Sequence, residues 1–257
     1  MPQDRILCAD TAAWRVERVV KHAGVAAPGN PVYQVATPRW VFPVCGVSEF
    51  HMAGQQVLLD GLTAVALPMG LPYQVHEWPG TPRSHMVVSR QSGSAPVSEA
   101  LAWMLPPRAL WQLRLHWRAL VQGREQAFGS GPVLVPGGDV VHGRSMDHCA
   151  VVRARRFMAT RTAAADGLAW SLHDVADVAH CSYFHLAHLF RAHMGLGLHA
   201  YRERLRLAAA LQRLDEGEGD LAALAHDLGY SSQSHMGAQF RRVVGVTPAQ
   251  ARQALRG

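Results

Sequence analysis

The stretch SYFHLAHLFRAHMG, residues 182–195, decides the interpretation of this sequence because it recurs fifty residues later as SQSHMGAQFRRVVG, residues 232–245. Serine, histidine, phenylalanine, arginine and glycine occupy matching positions in the two stretches. The same spacing also relates Asp177 to Asp227 upstream. Matches that keep one register over this length indicate an internal duplication of a single structural unit.

Each copy has the pattern of two short helices joined by a tight turn. Ser182 can cap the second helix of the first copy, and Ser232 can do the same in the other copy, because a serine hydroxyl accepts a hydrogen bond from the free N–H groups at a helix start. Gly195 suits the left-handed conformation in which many helices end. We therefore predict two helix-turn-helix units, at about 171–195 and 220–245.

Two further helices complete this region. A helix predicted over 199–214 would be roughly 24 Å long at ~1.5 Å per residue and would hold the two units apart. Thr247 and Gln250 form a capping-box pattern, and the intervening Pro248 suits a first helical turn. The sequence therefore predicts an all-α region toward its C-terminal end.

The N-terminal part has a different pattern. Between about Trp14 and Arg90, short apolar or alternating runs are separated by glycine and proline, which is typical of an all-β barrel or sandwich. The runs lie at 32–35, 39–44, 57–59, 63–67, 73–78 and 86–88. A helix follows at 108–122, and its apolar stripe, which includes Trp117, predicts packing on the barrel, on a partner subunit or on both.

Three consecutive parts of an α+β fold are therefore predicted. They are a β domain at 1–95, a helical connector at 96–150 that is suited to dimerisation, and an all-α domain at 151–257. A stretch rich in glycine and proline, 129–138, interrupts the connector. The length of 257 residues is sufficient for two modest domains with cores of their own.

The charge balance points to an anionic partner. Twenty-five basic residues against 19 acidic ones give a net charge of +6, which favours binding to a polyanion such as nucleic acid. No stretch of 18 residues is free of charged or turn-forming residues, so we expect no membrane-spanning helix. The N-terminus lacks a secretory signal pattern, and the four widely spaced cysteines are expected to be free thiols in a reducing cytoplasm.

The duplicated unit resembles the AraC/XylS family of bacterial transcription regulators, whose DNA-binding domain has this tandem arrangement. The resemblance rests on the stretches 172–176, 182–195, 201–206, 221–230 and 240–248. The run 57–73 is similar to the cupin-type sensing domains that often precede such DNA-binding domains. The resemblance therefore implies a cupin-like β-barrel followed by a connector and two helix-turn-helix units.

The function implied by the resemblance is a sequence-specific DNA-binding transcription regulator, of the activator type, that responds to an effector or a partner. The implied partners are double-stranded promoter DNA, RNA polymerase, a small-molecule effector and a second copy of the chain in a homodimer, with no membrane involved. No enzyme activity and no cofactor are expected, since the sequence has no nucleophile elbow, no P-loop and no H-E-x-x-H motif.

The family's DNA contacts, carried over residue by residue, fall on the two predicted recognition helices. The residues expected to read bases are Phe184, Ala187, His188, Ser234 and His235. The residues expected to hold phosphates are Ser182, Arg191, Ser232, Arg241 and Arg242. Ala187 offers no polar group to a base edge, whereas the arginines remain as phosphate partners, so we expect binding to persist with modest sequence discrimination per contact.

The sequence also raises the questions of a metal site and of a function without DNA binding. His51, His76 and His85 are scattered in sequence and lack the H-x-H pattern of metal-binding cupins, and His185 and His188 lack an evident fourth ligand, so no metal site is expected. The alternative function is a cupin-like small-molecule-binding protein whose helical tail has lost specific DNA binding. A gel shift on DNA from the protein's own upstream region distinguishes the two functions.

Overall fold

The computed structural model describes residues 3–21, 31–77, 83–92, 102–122, 139–140, 149–164 and 170–256. The strands are β1 Gln3–Asp10, β2 Trp14–Lys21, β3 Arg39–Cys45, β4 Ser48–Met52, β5 Gln55–Leu59, β6 Thr63–Leu67, β7 Tyr73–Glu77, β8 Arg83–Arg90, β9 Ala102–Met104 and β10 Asp139–Val140. The helices are α1 Pro107–Val121, α2 Cys149–Ala163, α3 Leu172–Ala179, α4 Tyr183–Met194, α5 Leu198–Asp215, α6 Leu221–Asp227, α7 Gln233–Val244 and α8 Pro248–Arg256. The α+β fold class is confirmed, with the sheets first and the helices last.

The strands form two antiparallel sheets. The larger has the order β1-β2-β8-β3-β6-β9-β10, and the smaller has the order β5-β4-β7. Strand β6 is buried along its whole length, because its small and β-branched residues pack on both faces of the sheet. Side chains from both sheets belong to one hydrophobic cluster that continues into the helices.

The strand predictions fail where the alternation is weak. Strand β6 has the predicted bounds, but residues 32–35 contribute only an isolated bridge between Tyr33 and Tyr73. Strands β1, β2 and β4 were not among the predicted runs. In β1, Ile6 and Leu7 are both exposed, so apolar and polar residues do not alternate. The predicted connector is not purely helical, because β9 and β10 extend the larger sheet; its stretch 129–138 lies outside the described residues.

Helix α1 packs on the protein's own sheet. Trp117 is buried, and its ring lies 6.3 Å from that of Phe42 in β3. Leu110, Leu113 and Leu120 of the same stripe are also buried, and α1 further contacts α5, α7 and α8. Of the two packing partners that the sequence left open, the structure therefore shows the sheet for these four residues, whereas Val121, at the end of the stripe, is 63% exposed.

The barrel histidines are less scattered than the sequence indicated. The rings of His51 and His76, on neighbouring strands β4 and β7, stack with centroids 3.9 Å apart, whereas His85 lies on β8 in the other sheet. Among the described residues, His, Cys, Asp and Glu side chains form no group of three that could hold a metal ion. In the same part of the chain, no helix is both long and apolar enough to cross a bilayer.

A buried carboxylate joins the sheets to the helices. Asp60, fully buried between β5 and β6, accepts hydrogen bonds at Oδ1 from the backbone N–H groups of Leu62 and Thr63, both at 2.9 Å. Its Oδ2 accepts from Arg155 of α2 at 2.8 Å and from the hydroxyl of Tyr201 of α5. Burial, and next the charge of Asp60, raise the pKa of Tyr201 well above its usual value, so Tyr201 stays protonated and donates.

A second set of ion pairs ties α1 to the end of α5. Asp215 accepts from Arg118 at 2.6 Å and from Arg114 at 3.3 Å, and Arg114 also donates to the carbonyl of Val44 in β3 at 2.7 Å. Because α5 is held at Tyr201 and again at Asp215, its orientation relative to the larger sheet is fixed along most of its length.

We expect Asp60→Ala to destabilise the protein by about 3–5 kcal/mol, because it leaves the guanidinium of Arg155 buried without its carboxylate. Urea unfolding at neutral pH measures this loss. The matched control is Asp10→Ala, which removes a carboxylate 43% exposed in its pair with Arg15 and should cost no more than about 1 kcal/mol. Equal losses in the two variants would show that the buried network does not hold the parts together.

Candidate nucleic-acid interface

Helices α4 and α7 begin and end in the same way. The hydroxyl of Ser182 accepts a hydrogen bond from the N–H of His185 at 3.3 Å, and that of Ser232 accepts from the N–H of His235 at 3.1 Å. Gly195 and its counterpart in α7 end the helices in the left-handed region, at φ +71° and +95°. The predicted caps are therefore confirmed, and each fixes where its helix starts and stops.

The two copies differ by one residue at the turn. The N–H of Cys181 donates to the carbonyl of Ala176, and the N–H of Tyr230 donates to that of Ala225, so α3 and α6 are related by a shift of 49 residues. Helices α4 and α7 keep the shift of 50, which makes Ser231 an insertion. The predicted correspondence of Asp177 with Asp227 is therefore wrong by one position.

Both recognition helices bury one face and expose another. Residues 186–195 and 236–245 have the same sequence of buried, half-buried and exposed positions, residue by residue. The buried face of α4 holds Leu186, Phe190 and Met194. This repetition shows that the duplication seen in the sequence is also a duplication of packing, and that the two helices present equivalent faces to solvent.

The residues proposed for base reading lie on these outer faces. Phe184 is 84% exposed although it is a large aromatic residue, and His188, Ser234 and His235 are exposed as well, whereas Ala187 is half-buried. An apolar side chain of this size in water gains nothing from folding. Phe184 therefore presents an exposed aromatic ring at the outer surface of α4.

The residues proposed for phosphate contacts frame the same faces. Ser182 and Ser232 are exposed at the helix starts, where the helix dipole favours an anion. Arg191 and Arg241 are exposed in the last turns. Arg242 differs from them, because its guanidinium already donates a hydrogen bond to the side-chain oxygen of Gln239, in the same helix, at 2.6 Å.

Three residues that were not predicted from the sequence contact the side chains of two residues proposed for base reading. Ser231 lies 3.0 Å from Nδ1 of His235, and Tyr230 packs edge-on against the same ring at 5.5 Å, so His235 is held in one orientation. Tyr183 lies edge-on to Phe184 at 5.8 Å. The insertion at residue 231 would have been detectable as the one-residue break in the repeat.

Comparison with known proteins agrees with this geometry. Residues 175–254 match the family described as "Helix-turn-helix domain". Two proteins named as AraC-like transcription regulators align with 81% of this chain, one from Streptomyces antibioticus at 29% identity over 215 residues and one from Streptomyces lividans at 30% over 210 residues. The chain spans 62% of the length of each of these relatives.

A solved structure extends over more of the chain. ToxT from Vibrio cholerae superimposes with a TM-score of 0.40 at 11% identity, covering 95% of this chain and 98% of that one. The family match and the two Streptomyces relatives agree with the duplicated motif that the sequence and the packing both show. The chain is therefore similar to AraC-like transcription regulators and carries a helix-turn-helix domain at 175–254.

Proposed function

We propose that this protein is a sequence-specific DNA-binding transcription regulator that places α4 and α7 in the major groove. The observation that carries the proposal is the repeated exposed face of the two helices, with Phe184 uncovered on the first. A helix inserted in the major groove reads base edges with its outer residues while its flanks hold phosphates. The exposed faces count against the alternative of a helical tail that has lost DNA binding.

The roles of the site residues follow from their positions in the two helices. Base reading belongs to Phe184, Ala187, His188, Ser234 and His235. Phosphate binding belongs to Ser182, Arg191, Ser232, Arg241 and Arg242. The imidazole of His188 can donate to or accept from a base edge, and Phe184 can contact a thymine methyl group.

The remaining parts of the proposal concern the whole regulator. The β domain at 1–95, cupin-like in its strand pattern, is the sensing part, the connector at 96–150 transmits its state, and 151–257 binds promoter DNA in the cytoplasm. The protein has no enzyme activity and acts as an activator through RNA polymerase. It works as a homodimer, and its interface lies on a surface other than the buried residues of the α1 stripe.

We expect Phe184→Ala to lower affinity for a specific duplex about ten-fold, because it removes an apolar contact in the groove. The free energy of unfolding should change by less than about 0.5 kcal/mol, since the side chain is exposed. Fluorescence anisotropy with a labelled duplex gives the affinity. Met69→Ala, which removes a side chain 67% exposed in the β domain, is the control, and equal binding by both variants would refute the role of Phe184.

We expect Arg241→Ala to weaken binding to specific and scrambled duplexes alike and to reduce the slope of log K against log salt by ~0.9, the value for one lost phosphate contact. Arg241 has no side-chain partner among the described residues, so its loss should leave the fold intact. Titrations at four salt concentrations measure the slope. An unchanged slope would assign Arg241 to helix solvation instead.

We expect the opposite pattern for His188→Ala. Preference for the specific duplex should fall by ~1 kcal/mol or less, the low end for one base contact, while binding to scrambled DNA and the salt slope stay as in the wild type. The same titrations measure both quantities. Uniform loss on both duplexes would mean that His188 anchors the backbone and does not read a base.

A further inference from the structure

A concave site of about 500 Å³ lies on the larger sheet and is lined by an excess of positive charge. A volume of this order is typical of pockets for small molecules. Four arginines line it, and one carboxylate opposes them, which leaves an excess of three positive charges. The charged lining residues are Arg5, Arg15, Arg39, Arg90 and Glu17.

Three of the lining residues are cross-strand neighbours. Ser89 of β8 pairs with Arg15 of β2 on one side and with Arg39 of β3 on the other. Residues paired in this way point to the same face, and adjacent strands are ~4.8 Å apart. The two guanidinium groups therefore extend from positions on either side of the serine hydroxyl.

Two buried polar atoms of this site, one in Ser89 and one in Arg39, have no hydrogen-bond partner among the described residues. Ser89 is only 5% exposed, yet within the described part of the chain its hydroxyl has no hydrogen-bond partner, and neither has Nε of Arg39. A buried polar group without a hydrogen-bond partner destabilises the protein. Such a group is expected where a ligand supplies the missing partner.

The charge of the site is only partly balanced by the protein. Glu17 is already paired with Arg5 at 3.2 Å and with Arg15 at 3.5 Å. Arg90 lies over the ring of Trp14 at 4.5 Å. Arg39 has no carboxylate within ion-pair distance among the residues described. Arg15 is also paired with Asp10 at 3.4 Å. An incoming anion would therefore find the guanidinium of Arg39 free and that of Arg15 shared with two carboxylates.

Further along the same face of the sheet the environment is also cationic. The pKa of His85, on the same side of β8 as Ser89, is lowered to about 3, chiefly by burial and then by the positive charges of Lys21, Arg5 and Arg83. A neutral histidine adds no negative charge to this face. The surroundings therefore favour an anion and disfavour a cation.

We propose that this site binds a small molecule through a carboxylate or phosphate group held between Arg15 and Arg39, with the hydroxyl of Ser89 as a third donor. Planar guanidinium groups match the two oxygens of such groups with paired, charge-assisted hydrogen bonds. That the bound molecule regulates transcription rests on the proposed function; its binding does not.

Isothermal titration of the full-length chain with inorganic phosphate and with citrate tests the site. We expect saturable binding by the wild type and a loss of about ten-fold or more in Arg39→Gln, the size expected for a charge-assisted hydrogen bond. Ser89→Ala is the second variant, because its hydroxyl has no protein partner and its removal should weaken binding without affecting folding. Arg108→Gln, an exposed arginine on α1, is the control with the same change in charge.

A further control separates this site from the DNA-binding surface. Arg241→Gln should bind the probes as the wild type does, and equal losses in Arg241→Gln and Arg39→Gln would place the anion on the recognition helices and overturn the proposal. Unchanged binding by Arg39→Gln, or no saturable binding of either probe up to about 10 mM, would also overturn it.

The test is independent of DNA binding. A protein that binds phosphate through Arg39 but no duplex DNA would refute the proposed function and leave this site standing. A protein that binds duplex DNA but neither probe would refute this site and leave the proposed function standing.

Discussion

The buried contact of Asp60 with Arg155 and Tyr201 is the constraint on which the arrangement of this protein depends. A carboxylate removed from water is stable only if its charge and its lone pairs are matched, and here four donors converge on it. These donors come from the β5–β6 turn, from α2 and from α5. Helix α2 precedes the first helix-turn-helix unit and α5 joins the two units, so one network orients both recognition helices relative to the sheets.

Local interactions determine where α4 and α7 begin and end and which of their faces are exposed. Caps at Ser182 and Ser232 and left-handed glycines set the ends of α4 and α7, and their buried faces pack in the same pattern. The anion site lies on β2, β8 and β3, and β3 pairs directly with β6, which begins at Thr63 beside Asp60. The proposed ligand site and the network that orients the helices are therefore linked through the pairing of β3 with β6.

The sequence predicted what local interactions determine. The caps, the turn residues and the helical periodicity lie within a few residues of one another, so the tandem units could be placed closely from Ser182 to Gly245. Contacts between distant residues could not be predicted: Tyr201 meets Asp60 across 141 positions, and nothing in the pattern around Asp60 marks it as buried. The stacking of His51 on His76 could not be predicted either, because it depends on the register of β4 and β7.

We propose that both recognition helices bind DNA while one network holds them in a fixed relative position. Helix α5 has 18 residues and spans roughly 27 Å, and successive major-groove sites on one face of DNA are about 34 Å apart. Hydroxyl-radical footprinting of the 257-residue chain, on a duplex enriched from a random pool by the protein itself, tests this arrangement. We expect two protected segments on one face of the duplex, about one helical turn apart. Protection of a single segment, or of none, would contradict it.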